Sequence, residues 1–213
     1  MTGTVNFIAP FKMSVCGIEE LASHCEGGVS HVLSILDPDW PVPEVFGSFG
    51  EHAKLELRFH DIIDGQGAGT IAPQREHVAD ILKFGRGLSG RKGEDTHLLV
   101  HCHAGVSRST AAMTVILAQA LPEVPANRIF GEVLRIRPQA WPNLRILEFG
   151  DAILGRRGEL VAAAAGVYRM QLNERQYLAE QMRAGGRGRE IIVALGHEDE
   201  GGLDFPKALR STH

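Results

Sequence analysis

The sequence predicts an α/β fold, a central and mostly parallel sheet flanked by helices. Three observations predict it. Short apolar or alternating runs recur at Phe11–Gly17, His31–Asp37, Lys54–Ile62 and Thr96–Cys102. Helically spaced apolar residues stand between and after them. Proline and glycine punctuate nearly every junction. Strands interleaved with helices, followed by helices alone, fit a layered α/β domain better than a bundle or a sandwich.

Taken in order, FKMSVCG (Phe11–Gly17) alternates as a strand, and IEELASHC after it has the spacing of a helix that Gly27 and Gly28 stop. HVLSILD is a continuous apolar run closed by Asp-Pro and reads as a buried strand. Residues Trp40–Gly50 read as a Pro/Gly-rich loop. In KLELRFHDI, Leu55, Leu57 and Phe59 alternate with Glu56, Arg58 and His60. The segment Pro73–Leu88 carries proline near a helix start and a stripe of Val78, Ile81, Leu82 and Leu88. THLLVHC is a second buried strand, and SRSTAAMTVILAQAL is an apolar helix ended by Pro122. ANRIFGEVLRIRP and WPNLRILEFGDAILG read as two more helices. Residues 1–155 are expected to form one domain, with 156–213 as a helical extension and tail. Within the extension, Arg156–Gly186 reads as one amphipathic helix and Arg187–His213 as an extended tail.

Composition narrows the function. A net charge of −4, with basic residues spread along the chain, disfavours nucleic acid as a partner. The most apolar stretch, Ala111–Leu121, is too short for a membrane span. Cys16, Cys25 and Cys102 do not form a disulfide pattern, and no signal-peptide pattern opens the chain, so a cytoplasmic location with reduced thiols is expected.

Chemistry concentrates in VHCHAGVSRST, Val100–Thr110. A buried strand delivers Cys102 to a loop at its carboxyl end, where α/β sheets place their ligand sites. His103, Ala104, Gly105, Val106 and Ser107 form a small loop whose backbone N–H groups can converge on an anion, with a helix N-terminus behind them. The same field favours a thiolate at Cys102. Arg108 can hold two phosphoryl oxygens with its planar fork. Ser109 can donate a hydrogen bond to the sulfur.

The plain alternative for Cys102 is a buried thiol, and His101 and His103 raise zinc. No companion CxxC or HxxxH run supports zinc, so no metal and no cofactor are expected. His101 is expected to orient the loop through hydrogen bonds from below, and His103 to line the rim or stand in solvent. His24, His52, Cys16 and Cys25 carry no pattern and read as structural, although a second cysteine near Cys102 could protect it as a disulfide. GAGTIA (Gly67–Ala72) matches a dinucleotide pattern, but Pro73 follows at once and THLLVHC ends in Cys102 where an acid is required. It reads as a loop.

The segment His101-Cys102-His103-Ala104-Gly105-Val106-Ser107-Arg108-Ser109 resembles the signature of the cysteine-dependent phosphatases: His-Cys, any five residues, Arg, then Ser or Thr. Over residues 5–155 the order of elements is similar to the compact dual-specificity type found in bacterial tyrosine phosphatases. The resemblance implies a phosphocysteine mechanism with Cys102 as nucleophile, Arg108 and the loop holding the phosphoryl group, and Ser109 helping the sulfur leave. It also implies an aspartic acid as general acid. Asp61 fits that place just after the strand, with Asp64 as the alternative. Pro142 and Asn143 look like the family's turn beside the active site. Asn143 either supports the phosphate loop or its arginine, or is an ordinary helix cap. Arg137 reads first as a cap of the helix C-terminus and second as a residue that reaches the pocket.

A phosphorylated protein is the expected substrate, acted on by a tyrosine or dual-specificity phosphatase. Small-molecule or lipid phosphates, a non-catalytic phosphate-binding module and a rhodanese-like sulfur transferase are the alternatives. No lysine stands inside the loop to meet a polyanionic head group. Oligomeric state is open.

Overall fold

The computed structural model describes residues 9–25, 27–65, 67, 69–88 and 96–196. Four strands form one sheet: β1 (Lys12–Cys16), β2 (His31–Leu36), β3 (Ala53–Arg58) and β4 (His97–His101). Their order is β1-β4-β2-β3, and every pairing is parallel. β4 therefore lies inside the sheet, between β1 and β2. Because all strands run the same way, their carboxyl ends gather along one rim.

Alternation along the strands builds two cores. Leu33, Ile35, Leu98 and Val100 face the larger one. Val32 and Leu99 point the other way, toward Leu21 and Phe49. The large core is covered by α1 (Arg75–Leu88), α2 (Arg108–Ala120), α3 (Ala126–Ile136) and α4 (Leu144–Leu154). α2 is buried nearly all round, as its run of Ala, Met, Val, Ile and Leu dictates. α3 buries one stripe: Ala126, Ile129, Phe130, Val133 and Leu134. The small core is closed by two 3₁₀ helices, Ile18–His24 and Glu44–Ser48. The first occupies the segment expected to be an ordinary helix. It buries only Leu21, too few anchors to hold a longer element. The second lies within the expected loop.

The extension differs from its expectation. Arg156–Gly186 is not one helix but two, α5 (Glu159–Glu174) and α6 (Leu178–Ala184). The polar run Asn173–Gln176 offers no apolar anchor, and Arg175 leaves helical geometry at φ −138°. Nor is the start of the expected tail extended. Gly188–Gly196 forms α7, which packs on α5 and α6 and buries Ile191 and Ala194. Leu160, Ala164, Val167, Tyr168, Ile191 and Ala194 join the same apolar cluster as α1–α4. Tail residues 197–213 and the first eight residues lie outside the described residues. No helix among those described is long and apolar enough to cross a membrane.

Candidate active site

Each strand end contributes to one place on the rim. β4 delivers Cys102, β2 delivers Asp37, β1 delivers Cys16 and Gly17, and the chain beyond β3 delivers Phe59 and Asp61. Cys102 lies at the floor, 2% exposed, with its Sγ 3.2 Å from the Ser109 Oγ. That is the contact expected between the thiol and the first turn of α2.

The loop between Cys102 and Arg108 has its carbonyls accounted for one by one. His103 O accepts the Ile18 amide at 2.9 Å. Arg137 donates from Nη2 to Ala104 O at 2.8 Å and from Nε to Gly105 O at 3.0 Å. Val106 O accepts the Trp141 amide at 2.9 Å, and Ser107 O accepts the Asn143 amide at 3.3 Å. The Thr110 hydroxyl also reaches Val106 O, at 2.6 Å. A trans peptide sets its N–H opposite its C=O. Five carbonyls turned outward therefore leave the N–H groups of residues 104–108 turned into the hollow.

The bend needs glycine. Gly105 has φ +69°, and a Cβ there would lie 2.4 Å from the Cys16 carbonyl carbon and 2.6 Å from the Gly17 nitrogen. Gly17 is equally confined, since its Cβ would meet His103 O at 2.8 Å. The loop is thus seated directly on the backbone that ends β1.

Arg108 is 2% exposed. Its Nη1 donates to Asp37 Oδ1 and to Phe59 O, each at 2.6 Å. Its Nε is buried with no hydrogen-bond partner among the described residues. One corner of the guanidinium is thus anchored, and a donor on the other side awaits an acceptor.

Of the two candidate aspartates, only Asp61 touches the loop. Asp61 Oδ1 accepts from Ser107 Oγ at 2.7 Å and from Asn143 Nδ2 at 2.9 Å. Its Oδ2 is 3.3 Å from Arg187 Nη1. Burial would raise the Asp61 pKa, but the charges of Arg187 and Arg108 and the two hydrogen bonds outweigh it and hold the carboxyl below its ordinary value. Asp64 instead points to Arg189 Nε at 3.3 Å and is half-exposed. Asn143 is the expected helix cap, but its side chain reaches Asp61 rather than the Cys102–Arg108 loop or Arg108, and only its backbone amide meets that loop. Its Oδ1 caps α4 by accepting the Ile146 amide at 3.2 Å, while its Nδ2 holds Asp61. Arg137 follows α3 as its C-terminal cap, but its side chain grips the Cys102–Arg108 loop rather than the helix terminus.

His101 corrects an expectation. It is buried, but neither ring nitrogen has a hydrogen-bond partner among the described residues. Its ring packs beside Phe46 at 5.3 Å instead. Burial pushes its pKa down to about 4, and the nearby Cys102 backbone opposes that only in part. His103 does line the rim. Its Nε2 accepts the Asp37 amide at 3.2 Å, and its ring meets Trp40 edge-on at 4.5 Å. Burial, and next Arg108, lower its pKa.

Cys16 and Cys102 belong to different core clusters, and all three cysteines are free thiols. Burial, reinforced by Glu20, pushes the Cys16 pKa up to about 12. Among the described residues no group of three or more His, Cys, Asp or Glu is arranged to hold a metal ion.

Several residues at this site went unread in the sequence: Asp37, Glu20, Trp141, Arg187 and Glu190. Asp37 visibly closes a buried strand in the sequence, but the place of that strand beside the one carrying Cys102 had no local signal. Arg187 and Glu190 had none, because charged residues in a glycine-rich stretch read as solvated.

No protein-family model and no curated protein matches the sequence. Solved structures do match the fold. Human DUSP28 aligns with a TM-score of 0.51 at 17% identity, covering 70% of this chain and 96% of that one. The PTP-2 phosphatase of Cydia pomonella aligns with a TM-score of 0.51 at 18% identity, covering 66% and 84%. The chain has the compact α/β fold of the dual-specificity type of cysteine-dependent phosphatase, as the signature resemblance implied.

Proposed function

We propose that the protein is a cysteine-dependent phosphomonoester hydrolase, acting on phosphorylated protein with preference for phosphotyrosine. The observation that carries this reading is the loop of five outward carbonyls over Cys102. It supports a nest of inward N–H groups, with Arg108 Nε as a further donor, a donor set suited to the oxygens of a phosphoryl group.

In the first step the Cys102 sulfur attacks phosphorus as the bond to the leaving oxygen breaks, and Asp61 gives that oxygen its proton. The products are a phosphocysteine and an alcohol or phenol. In the second step water attacks the phosphocysteine, Asp61 takes a proton from it, and the sulfur leaves while Ser109 donates a hydrogen bond to it. Arg108 and the loop amides hold the equatorial oxygens through both steps.

A dianionic phosphoryl group next to Asp61 opposes the pull of Arg187 and Arg108, and so favours the protonated acid once substrate is bound. Preference for an aryl phosphate is supported by the rim. Trp40 is 45% exposed above His103, and Ile71, 40% exposed, is tied to His60 next to Asp61.

The test is hydrolysis of an aryl phosphate, a phosphopeptide panel and a phosphoinositide panel by the full chain. Turnover is expected with aryl phosphate and phosphotyrosine peptide, and loss of at least 1,000-fold is expected in Cys102→Ser. Faster turnover of phosphoinositides would reassign the substrate. Phosphate binding without turnover would reduce the protein to a binding module.

A further inference from the structure

The segment carrying α7 reaches the candidate active site through one arginine. Arg187 is 7% exposed. Its Nη1 donates to Ser107 Oγ at 2.8 Å and lies 3.3 Å from Asp61 Oδ2. The rest of its fork is held by Glu190, with Nε to Oε2 at 2.9 Å and Nη2 to Oε1 at 2.6 Å.

Glu190 is itself fully buried and has two further donors. Trp141 Nε1 reaches its Oε2 at 2.6 Å, and the Leu144 amide reaches its Oε1 at 3.1 Å. Trp141 stacks on Tyr168 of α5, whose hydroxyl donates to Pro142 O. The turn 141–144 in turn supplies the amides that hold Val106 O and Ser107 O. A buried ion pair of this kind is seldom kept for stability alone, since desolvating two charges offsets most of their attraction. Its fork points to a task.

We infer that Arg187 is a positioning residue for Asp61: it fixes the carboxyl against the phosphate loop and sets which of its oxygens can carry the transferable proton. The inference rests on the general-acid role proposed for Asp61. Oδ1 is saturated by Ser107 and Asn143, so the proton belongs on Oδ2, the oxygen that Arg187 faces. The Ser107 hydroxyl is oriented by the same arginine. It accepts from Nη1 and donates to Oδ1, which leaves it no part in capping α2.

The charged and titratable groups around Asp61 come from every packed element. They are Arg187 just before α7, Glu190 within it, Arg108 from α2, His103 from the phosphate loop and Tyr168 from α5. Arg187 is the one among them that pairs directly with Oδ2. A cation there favours the carboxylate, so removing it makes Asp61 a weaker acid that holds its proton to higher pH.

The experiment measures kcat/KM against pH for the full chain, using aryl phosphates with good and poor leaving groups. Arg187→Gln, Arg187→Lys, Asp61→Asn and the two double variants with Asp61→Asn are compared with the parent. Arg187→Gln is expected to lose 10-fold or more on the poor leaving group and far less on the good one. The basic limb of its profile should move to higher pH. Arg187→Lys keeps the charge and should leave that limb in place, with a smaller rate loss. In the Asp61→Asn background neither change should lower the rate further.

An unmoved basic limb in Arg187→Gln, or an equal loss with and without Asp61, would overturn the inference. Should Arg187→Gln not fold, Arg187→Lys in the two backgrounds decides alone: a rate loss confined to the Asp61 background supports the inference, and an equal loss in both overturns it. Failure of the general-acid reading shows separately. Asp61→Asn would then retain the parent's rate on the poor leaving group, whatever Arg187 does.

Discussion

Arg137 donates from Nε to the Gly105 carbonyl at 3.0 Å, across the 32 residues that separate the end of α3 from the Cys102–Arg108 loop. Its Nη2 holds Ala104 O and its Nη1 holds Glu20 Oε1, both at 2.8 Å. Glu20 closes the circuit by accepting the Gly17 amide at 2.6 Å. The Arg137 hydrogen bond helps keep the Glu20 carboxylate below its ordinary pKa. One guanidinium thus ties the back of the loop to the turn after β1.

Removing it releases two loop carbonyls from the donors that turn them outward. Hydrogen bonds to a charged donor contribute about 1.5–3 kcal/mol each, so the inward pointing of the N–H groups should suffer. Arg137→Ala is expected to lower kcat/KM for an aryl phosphate by about 10- to 100-fold. Arg137→Lys should recover only part, because an ammonium cannot span both carbonyls and Glu20. Steady-state kinetics with vanadate inhibition measures both. Vanadate affinity equal to the parent in Arg137→Ala would show that the loop holds its shape unaided.

Gly105 tests the same seat from the front. Alanine there meets left-handed backbone at φ +69° and three main-chain atoms of Cys16 and Gly17 closer than 3 Å. The backbone cost is roughly 1–2 kcal/mol and overpacking adds about 1–3. Gly105→Ala is expected to lower stability by about 3 kcal/mol and to abolish most activity, since the loop can relieve the clash only by lifting off β1. Urea unfolding and turnover are the measurements, and a fully active, equally stable variant contradicts the packing described.

Much of this site was legible in the sequence because its parts are local. The buried strand, Cys102, the small loop and Arg108 lie within one short segment; period-two alternation placed β3, and the resemblance implied an acid just after it, at Asp61 or Asp64. The rest was not legible, for physical reasons. Asp37 meets Arg108 only because β2 and β4 are neighbours in the sheet, a pairing that no local pattern encodes. Arg187 and Glu190 are buried as a pair, whereas sequence patterning treats each charge as solvated. His101 sits in the signature beside Cys102, yet its ring packs beside Phe46 and neither ring nitrogen has a hydrogen-bond partner among the described residues that the motif could announce.

His101 makes acid stability measurable. In the unfolded chain it binds a proton near pH 6.5, as histidines do, whereas in the fold its pKa is about 4. Between these values the unfolded state holds a proton that the folded state lacks, so stability rises with pH across that window. The contribution is complete above about pH 6.5 and is lost as pH falls toward 4, about 3 kcal/mol in all. His24, His77 and His103, also lowered by burial, slope the same way. Urea midpoints from pH 7 to 4.5 should fall steeply in the parent. His101→Phe should flatten the curve by the largest share, and a curve unchanged by that substitution would contradict a buried neutral imidazole.

Asp37 holds the anchored corner of Arg108. Its Oδ1 takes Nη1 at 2.6 Å, its backbone carbonyl takes Arg58 Nη1 at 3.2 Å, and its amide donates to His103 at 3.2 Å. Arg58 also donates to Trp40 O, so the same segment carries the rim tryptophan. Asp37→Ala removes the carboxylate and leaves Phe59 O as the acceptor that keeps Nη1 in place. The guanidinium then has freedom to rotate about that single bond, and the direction of its remaining donors is no longer fixed. The expected result is a rise of about 10-fold in KM for an aryl phosphate and a matching weakening of vanadate, with kcat reduced less. Asp37→Asn keeps an oxygen acceptor without the charge and should fall between the two. Stability should change little, because the Asp37 side chain is 38% exposed and its partner stays bonded to Phe59. A parent-like KM in Asp37→Ala would mean that the Phe59 carbonyl orients Arg108 by itself, and that the end of β2 serves the rim rather than the phosphate.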